Sequence, residues 1–150
     1  MSPDHDDNTA IISLLERRGV RPTRQRVALA GLLFSGPDRH VTPEELHREA
    51  SVSGFDVSLA TVYNTLNHLR DHGLVDEISV APGRSYFDTN TSSHMHVYHE
   101  DTGQLWDAGD LAGAADALGR DALKAAGIPA GAELARVDVV VRVRADRGAR

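Results

Sequence analysis

The stretch Ser58 to Gly73, SLATVYNTLNHLRDHG, decides the fold of this chain. Its first serine can cap a helix, apolar residues recur within it at helical spacing, and its final glycine is a typical helix stop. The following segment, Leu74 to Val80, has the pattern of a strand, and a turn at Ala81-Pro82-Gly83-Arg84 leads into a returning strand at Ser85 to Phe87. A helix followed by such a hairpin is typical of the recognition helix and wing of a winged helix-turn-helix.

Shorter helical patterns precede this segment. Residues 9–18 form the first, and Thr23 caps a second helix that continues to Phe34. The third begins at Thr42-Pro43-Glu44-Glu45, a capping box with proline at the first helical position, and runs to about Ala50. Together with the hairpin, these helices predict a winged-helix DNA-binding domain over residues 1–88.

The polar residues 89–93, TNTSS, have the composition of a hinge. The pattern then changes to a strand at His94 to His99, a turn, and a second strand at Gln104 to Asp107. An alanine-rich helix follows from Leu111 to Ala126, and Val137 to Val143 alternates in the manner of a half-buried strand. We therefore predict an α+β fold in which a small α/β domain, residues 94–150, follows the winged helix. So small a domain gains stability by dimerisation, and we expect a homodimer.

Composition restricts the chemistry that is available. The chain has no cysteine, which excludes disulfides and thiolate zinc sites, and its eight histidines become the residues to explain. No apolar run is long enough to cross a bilayer and the acidic N-terminus is not signal-like, so we expect a cytoplasmic protein without membrane contact.

Charge and position indicate which residues face DNA. The net charge of −6 argues against indiscriminate nucleic-acid binding, yet arginines are concentrated between positions 17 and 26. The N-terminal part of a recognition helix reads base edges in the major groove, as Asn64 and Tyr63 could. The candidate DNA-binding residues are Arg21, Thr23, Arg24, Ser58, Thr61, Tyr63 and Asn64. A monomer carries one recognition helix, so a dimer predicts an AT-rich inverted repeat as operator.

Three segments carry a resemblance to a known family. RPTRQR at 21–26, SLATVYNTLN at 58–67 and SYFD at 85–88 resemble the ferric-uptake regulator family, with matches across roughly residues 12–144. The motif FDTNT at 87–91, followed by a short histidine motif, looks most like the iron response regulator branch of alphaproteobacteria. The resemblance implies a dimeric winged-helix regulator of iron and haem genes.

Metal ligands are indicated in two ways. His94 and His96 lie two residues apart on a predicted strand, so both imidazoles share one face, which is typical of metal ligands or partners of carboxylates. The resemblance implies that His40, Asp88 and Asp107 complete the set. Three histidines and two carboxylates suit Fe(II) or Mn(II). Zn(II) would more often use four of them and is the alternative occupant in a purified sample.

The chain also departs from the family pattern. Family members often hold a structural zinc with paired Cys-x-x-Cys motifs, where this chain has His99 and Thr102, so that site is absent. A further histidine-rich site has lost its usual residues, which leaves His99 and Glu133 as accessory candidates. Some members of the iron response branch have a Cys-Pro haem motif. This chain has none, so haem would require axial His or Met ligands.

Two other functions compete with an iron or haem regulator. A peroxide-sensing repressor of the same fold is indicated by Asp88 and Asp107, because peroxide-sensing relatives use aspartates there and oxidise a histidine bound to Fe(II). A metal-dependent hydrolase could use a similar His/Asp set, but the sequence has no nucleophile elbow, phosphate loop or general-base motif. We therefore expect no enzyme activity.

Overall fold

The computed structural model describes residues 3–148, and the chain divides into two compact units between Thr91 and Ser92. We call these the N-terminal unit and the C-terminal unit. The N-terminal unit contains helices and a small sheet, and the C-terminal unit contains a second sheet and one helix within the described residues. The predicted α+β fold class is confirmed.

The helices of the N-terminal unit are α1 (Pro3–Arg17), α2 (Arg24–Phe34), α3 (Pro43–Val52) and α4 (Leu59–Asp71). Their starts follow the predicted caps. The hydroxyl of Thr23 accepts a hydrogen bond from the Arg26 amide, and Ser58 accepts one from the Thr61 amide. The prediction was wrong at the first helix, which begins at Pro3 rather than Thr9, because acidic residues without apolar periodicity can still continue a helical first turn.

The sheet of the N-terminal unit consists of β1 (His40–Val41), β2 (Asp76–Ala81) and β3 (Arg84–Asp88), in the antiparallel order β1-β3-β2. The hairpin between β2 and β3 turns at Pro82 and Gly83, and the glycine has a positive φ of 69° that a side chain would disfavour. Strand β1 was not predicted, because two residues are too few to show a periodicity. It brings His40 opposite Asp88 on the central strand.

The core of the N-terminal unit joins all four helices to the sheet. Leu74 and Val75, predicted as the start of a strand, are instead buried core residues that precede β2. The largest fully buried side chains of this unit come from its helices, its strands and two connecting segments, and they are Leu15, Val20, Leu29, Leu33, Val41, Leu46, Val62, Leu66, Leu69, Val75, Val80 and Phe87. This continuous core holds the recognition helix and the wing in one body.

The C-terminal unit contains β4 (His94–His99), β5 (Leu105–Asp110), α5 (Ala112–Ala125) and β6 (Val139–Val143). Strand β4 is central, pairing antiparallel with β5 and parallel with β6. The parallel pair needs a crossover, and the segment containing α5 supplies it. Strand β4 thus receives hydrogen bonds from both sides, which fixes the position of its histidines.

Strand β6 differs from the prediction. It begins at Val139 rather than Val137, and Val141 and Val143 are 45% and 37% exposed in the single chain. Val137 lies instead beside Gly119 of α5. A side chain at position 119 would bring its Cβ within 2.9 Å of the Val137 side chain and 2.5 Å of the Leu134 side chain. Glycine inside α5 therefore permits the close approach of this segment to the helix. The apolar face of β6 is only partly covered within the described part of its own chain.

No helix in the described part of the chain combines the length and the apolar character that a membrane span requires.

The capping box at Thr42 predicts a measurable stability effect. Its hydroxyl accepts from the Glu45 amide at 3.2 Å, and the Glu45 carboxylate accepts from the Thr42 amide at 2.8 Å. Thr42→Ala should lower the free energy of unfolding by about 1 kcal/mol, because an amide at the start of α3 loses its partner. Urea unfolding followed by circular dichroism at the helical minimum measures this. Thr91→Ala, at an exposed position, is the control, and equal midpoints for both variants would contradict the prediction.

Candidate functional site

Two of the predicted ligands, His40 and Asp88, lie together in the N-terminal unit. The register of β1 and β3 places them opposite each other, and His40 Nε2 lies 3.1 Å from Asp88 Oδ2. The second oxygen, Oδ1, accepts a hydrogen bond from the Asn90 amide at 2.9 Å, which fixes the plane of the carboxylate. The Asp88 side chain is only 1% exposed. A buried carboxylate beside an imidazole is a natural partner for a cation. Because these two residues belong to the N-terminal unit, the first of the two along the chain, we call them the unit 1 pair.

The other three predicted ligands meet in the C-terminal unit. His94 and His96 share one face of β4, and their ring centroids are 4.3 Å apart. Asp107 on β5 pairs with His96 in the ladder, and its Oδ1 lies 3.0 Å from His94 Nε2 and 3.4 Å from His96 Nε2. The register shifts between His94 and His96, so the β5 residues that pair with them lie further apart than in a regular ladder. Because His94, His96 and Asp107 belong to the C-terminal unit, the second along the chain, we call them the unit 2 triad.

The tautomer of His94 points to a cation in the triad. His94 Nδ1 lies 2.7 Å from the carbonyl oxygen of Ser92, which can only accept, so Nδ1 carries a proton. In the neutral ring Nε2 then has a lone pair, and this lone pair faces the Asp107 carboxylate. Two acceptors at this separation need a hydrogen-bonded proton, on the ring or on the carboxyl group, or a metal ion between them. A backbone carbonyl that holds the far nitrogen is the usual second contact of a ligating histidine.

The chemistry of the donors fits a divalent metal. Imidazole nitrogens and carboxylate oxygens suit Fe(II), Mn(II) and Zn(II), and no thiolate competes because the chain has no cysteine. Two imidazolium rings as close as those of His94 and His96 would repel each other, whereas one metal ion serves both neutral rings. The unit 2 triad therefore fits a metal better than a pair of protonated histidines.

The accessory candidates are not brought into such a group. Among the described residues, no cluster of potential ligands includes His99 or Glu133. His99 Nδ1 is buried without a hydrogen-bond partner at the end of β4, and Glu133 is exposed. Within the part of the chain that the structure describes, the two residues are therefore not grouped with other potential ligands, and an accessory site at them stays a prediction.

The predicted reading face of α4 is open to solvent. Ser58, Tyr63 and Asn64 are exposed, while Val62, Leu66 and Leu69 on the opposite side are core. Ser58 and Thr61 also have a local role, because their hydroxyls are 2.9 Å apart and the first caps the helix. The hydroxyl of Tyr63 donates to Glu44 Oε1 at 2.8 Å, and this bond raises the pKa of the Tyr63 phenol.

The remaining DNA candidates surround the start of α2. Thr23 lines a depression of about 310 Å³ with Thr61 and Asn64 of α4. The carbonyl of Arg21 accepts from Arg26 Nη1 at 3.0 Å, which orders the loop, and its side chain is exposed. The Arg24 guanidinium lies 6.0 Å from the centre of the Phe55 ring. Thr23 at the start of α2 therefore shares one surface with Thr61 and Asn64 of α4.

Sequence reasoning missed the residues that orient the others. Glu44 was assigned only to the capping box, although it also holds the Tyr63 hydroxyl. Asn90 was assigned to a hinge, although its amide binds Asp88. The spacing D-x-N is an available signal for the Asn90 contact, since an aspartate commonly accepts from the amide two residues later. The Glu44 contact is tertiary and has no local signal.

Comparisons with known proteins place the chain in a family. The sequence profile of the ferric uptake regulator family matches residues 17–112. The peroxide-responsive repressor PerR of Staphylococcus epidermidis is 37% identical over 106 residues, which cover 71% of this chain and 69% of the relative. The ferric uptake regulator of Pseudomonas aeruginosa, solved with manganese, superimposes with a TM-score of 0.68 at 27% identity, covering 90% of this chain and 97% of that one.

A third comparison concerns the fold alone. The ferric uptake regulator of Francisella tularensis, solved with iron, gives a TM-score of 0.68 at 20% identity and covers 85% of this chain and 92% of that one. The family resemblance in the sequence is therefore confirmed. The curated relative has a peroxide-responsive name, so the finer resemblance to the iron response branch stays a prediction. This chain belongs to the ferric uptake regulator family, and it is a metal-responsive transcription regulator of the ferric uptake regulator type.

Proposed function

We propose that the chain acts in the cytoplasm as a homodimer that binds an AT-rich inverted-repeat operator and changes its DNA affinity with Fe(II) or Mn(II). The observation that carries this proposal is the unit 2 triad, in which a carbonyl-fixed His94 and a neighbouring His96 face one carboxylate. The unit 1 pair supplies the two further donors. Zn(II) would bind a subset of them, since it prefers four ligands. The chain has no catalytic role in this proposal.

The proposed switch rests on where the donors lie along the chain. The unit 1 pair precedes residues 89–93 and the unit 2 triad follows them. Neither set alone fills the coordination sphere of Fe(II) or Mn(II), because two donors and three donors each leave positions open. One ion bound by both sets would favour a single arrangement of the winged helix relative to the metal-sensing domain. A ligand changes an equilibrium only through such a difference in affinity.

The homodimer is supported by uncovered apolar surface on the C-terminal unit. Large apolar side chains of this unit are exposed in the single chain, and they are Trp106, Leu118, Ile128, Val141 and Val143. Exposed apolar surface of this extent on a small unit is typical of an interface. A dimer presents two recognition helices related by a two-fold axis, and an inverted repeat has matching symmetry.

The iron and haem genes are the finer part of the proposal. The motif at residues 87–91 and the short histidine motif that follows it support the iron response branch. Peroxide sensing is the second candidate, supported by the 37% identity to PerR and by the two aspartates at positions 88 and 107. Haem, if it is the signal, would require His or Met ligands. The candidates therefore differ in the signal, which is iron, haem or peroxide, and each signal leaves a different chemical trace.

Arg21 should contribute to DNA affinity through phosphate or minor-groove contact. Arg21→Ala should weaken binding to a duplex with an AT-rich inverted repeat and reduce the slope of log K against log salt by about 0.9 for each phosphate that Arg21 neutralises. Fluorescence anisotropy over a salt series measures both quantities. Arg120→Ala, which removes the same charge from the exposed part of α5, is the control. An unchanged slope for Arg21→Ala would contradict the proposed role.

His96→Ala should separate metal sensing from dimerisation. The loss of one triad nitrogen should abolish the metal-dependent change in DNA affinity, which we expect to be about 5- to 150-fold in the unmodified chain for a coupling of 1 to 3 kcal/mol. Anisotropy titrations with and without Mn(II) measure the coupling, and light scattering measures the dimer. His68→Ala, on α4, is the histidine control for metal binding. A variant that still binds Mn(II) and responds to it would overturn the switch, and a monomeric unmodified chain would overturn the dimer.

Peroxide should distinguish the two candidate signals. If the chain is a peroxide sensor, the Fe(II)-loaded protein should gain oxygen at a ligating histidine on mild peroxide treatment, and the Mn(II)-loaded protein should not. Peptide mass spectrometry locates the modification, and DNA titration shows whether it releases the operator. If iron status or haem is the signal, DNA affinity should follow metal or haem content while the histidines stay unmodified.

A further inference from the structure

An ion pair joins the start of β1 to α3 beside the unit 1 pair. Arg39 Nη1 donates to Glu49 Oε2 at 2.9 Å, and Nη2 donates to Oε1 at 2.5 Å, so both oxygens of the carboxylate are engaged. The two side chains are 32% and 37% exposed. This two-point contact restricts the rotation of the guanidinium as well as its distance from the carboxylate. The bond from Arg39 holds the pKa of Glu49 below its usual value, as an intact pair requires.

The backbone of Arg39 is hydrogen-bonded to Thr89, the residue that follows the second ligand of the unit 1 pair. The Arg39 amide donates to Thr89 Oγ1 at 2.9 Å, and the Thr89 amide donates to the Arg39 carbonyl at 3.1 Å. Arg39 directly precedes His40, and Thr89 directly follows Asp88. The residues next to the two ligands thus hold each other, and Glu49 anchors them to α3. Strand β1 is only two residues long, so the ladder itself restrains His40 through few bonds.

We propose that Arg39 and Glu49 are positioning residues that hold His40 in its ligand geometry against Asp88. This inference rests on the proposed function, because it concerns the metal that the unit 1 pair would help to bind. Neither residue touches the metal in this view. Their effect passes through the backbone of β1, which turns an ion pair on the surface of α3 into a restraint on the His40 imidazole.

A second explanation of the ion pair is a direct effect of its charge. A glutamate near the site would attract a cation and an arginine would repel it, and these two effects act in opposite directions. Arg39→Lys keeps the charge but loses the two-point contact, because an ammonium group cannot engage both oxygens in a fixed plane. Glu49→Gln removes a negative charge as well as the contact. The two variants together therefore separate geometry from charge.

The decisive measurement is Mn(II) affinity of the full-length chain by titration calorimetry, for the unmodified protein and both variants. Positioning predicts that each variant weakens Mn(II) binding by about three- to tenfold, less than the 10- to 100-fold typical of residues bonded directly to a ligand. Arg70→Gln is the matched control, since the Arg70–Glu77 pair is similarly exposed and joins α4 to β2. Its Mn(II) affinity should stay within about twofold of the unmodified chain, because neither member is joined to a ligand by a peptide bond.

A metal-free readout accompanies the titration. Hydrogen exchange of the peptide that contains the Thr89 amide should be faster in Arg39→Lys and Glu49→Gln than in the control, because the bond to the Arg39 carbonyl opens more often. Unchanged Mn(II) affinity in Arg39→Lys, with weaker binding in Glu49→Gln alone, would overturn positioning in favour of charge. Unchanged affinity in both would overturn it outright. An unmodified chain that binds neither Mn(II) nor, in the absence of oxygen, Fe(II) would instead refute the proposed function, and the positioning role with it.

Discussion

The register of β1 against β3 is the constraint on which the N-terminal unit depends. It sets His40 against Asp88, and the same register places Val41 opposite Phe87, a fully buried core residue. A shift of one residue would turn every side chain of the shifted strand to the opposite face. The same slip would therefore disrupt both the core packing and the unit 1 pair. The packing that stabilises the winged helix therefore also fixes the histidine and carboxylate relative to each other.

The C-terminal unit reaches a similar result with different means. Its central strand is bonded on both edges, and a register shift next to His94 brings one Asp107 oxygen within reach of both imidazoles. The carbonyl of Ser92 then fixes the proton of His94. Both units thus present partial sets of nitrogen and oxygen donors that are held by backbone contacts. Such preorganisation reduces the ordering that a metal ion would otherwise have to impose.

Local chemistry explains which features the sequence could predict. Thr23, Thr42 and Ser58 cap their helices as expected, since capping depends on residues three positions apart. The spacing of His94 and His96 predicted their shared face, but the other ligands came only from a family resemblance. The Arg39–Glu49 ion pair was beyond prediction because it joins different elements. The alternation of Val137 to Val143 predicted one strand, but β6 begins only at Val139, because Val137 lies against α5 in a tertiary contact that a local pattern does not show.

The parallel pairing of β4 with β6 has a consequence for the order in which the protein is made. Met95 pairs with Val139 and His99 with Val143, so the neighbour of the histidine strand leaves the ribosome well after the histidine strand itself. The N-terminal unit forms its compact core from residues up to Thr91, and domains fold as units during synthesis, N-terminal first. A nascent chain can therefore hold a finished winged helix while the sheet that carries His94 and His96 still lacks an edge.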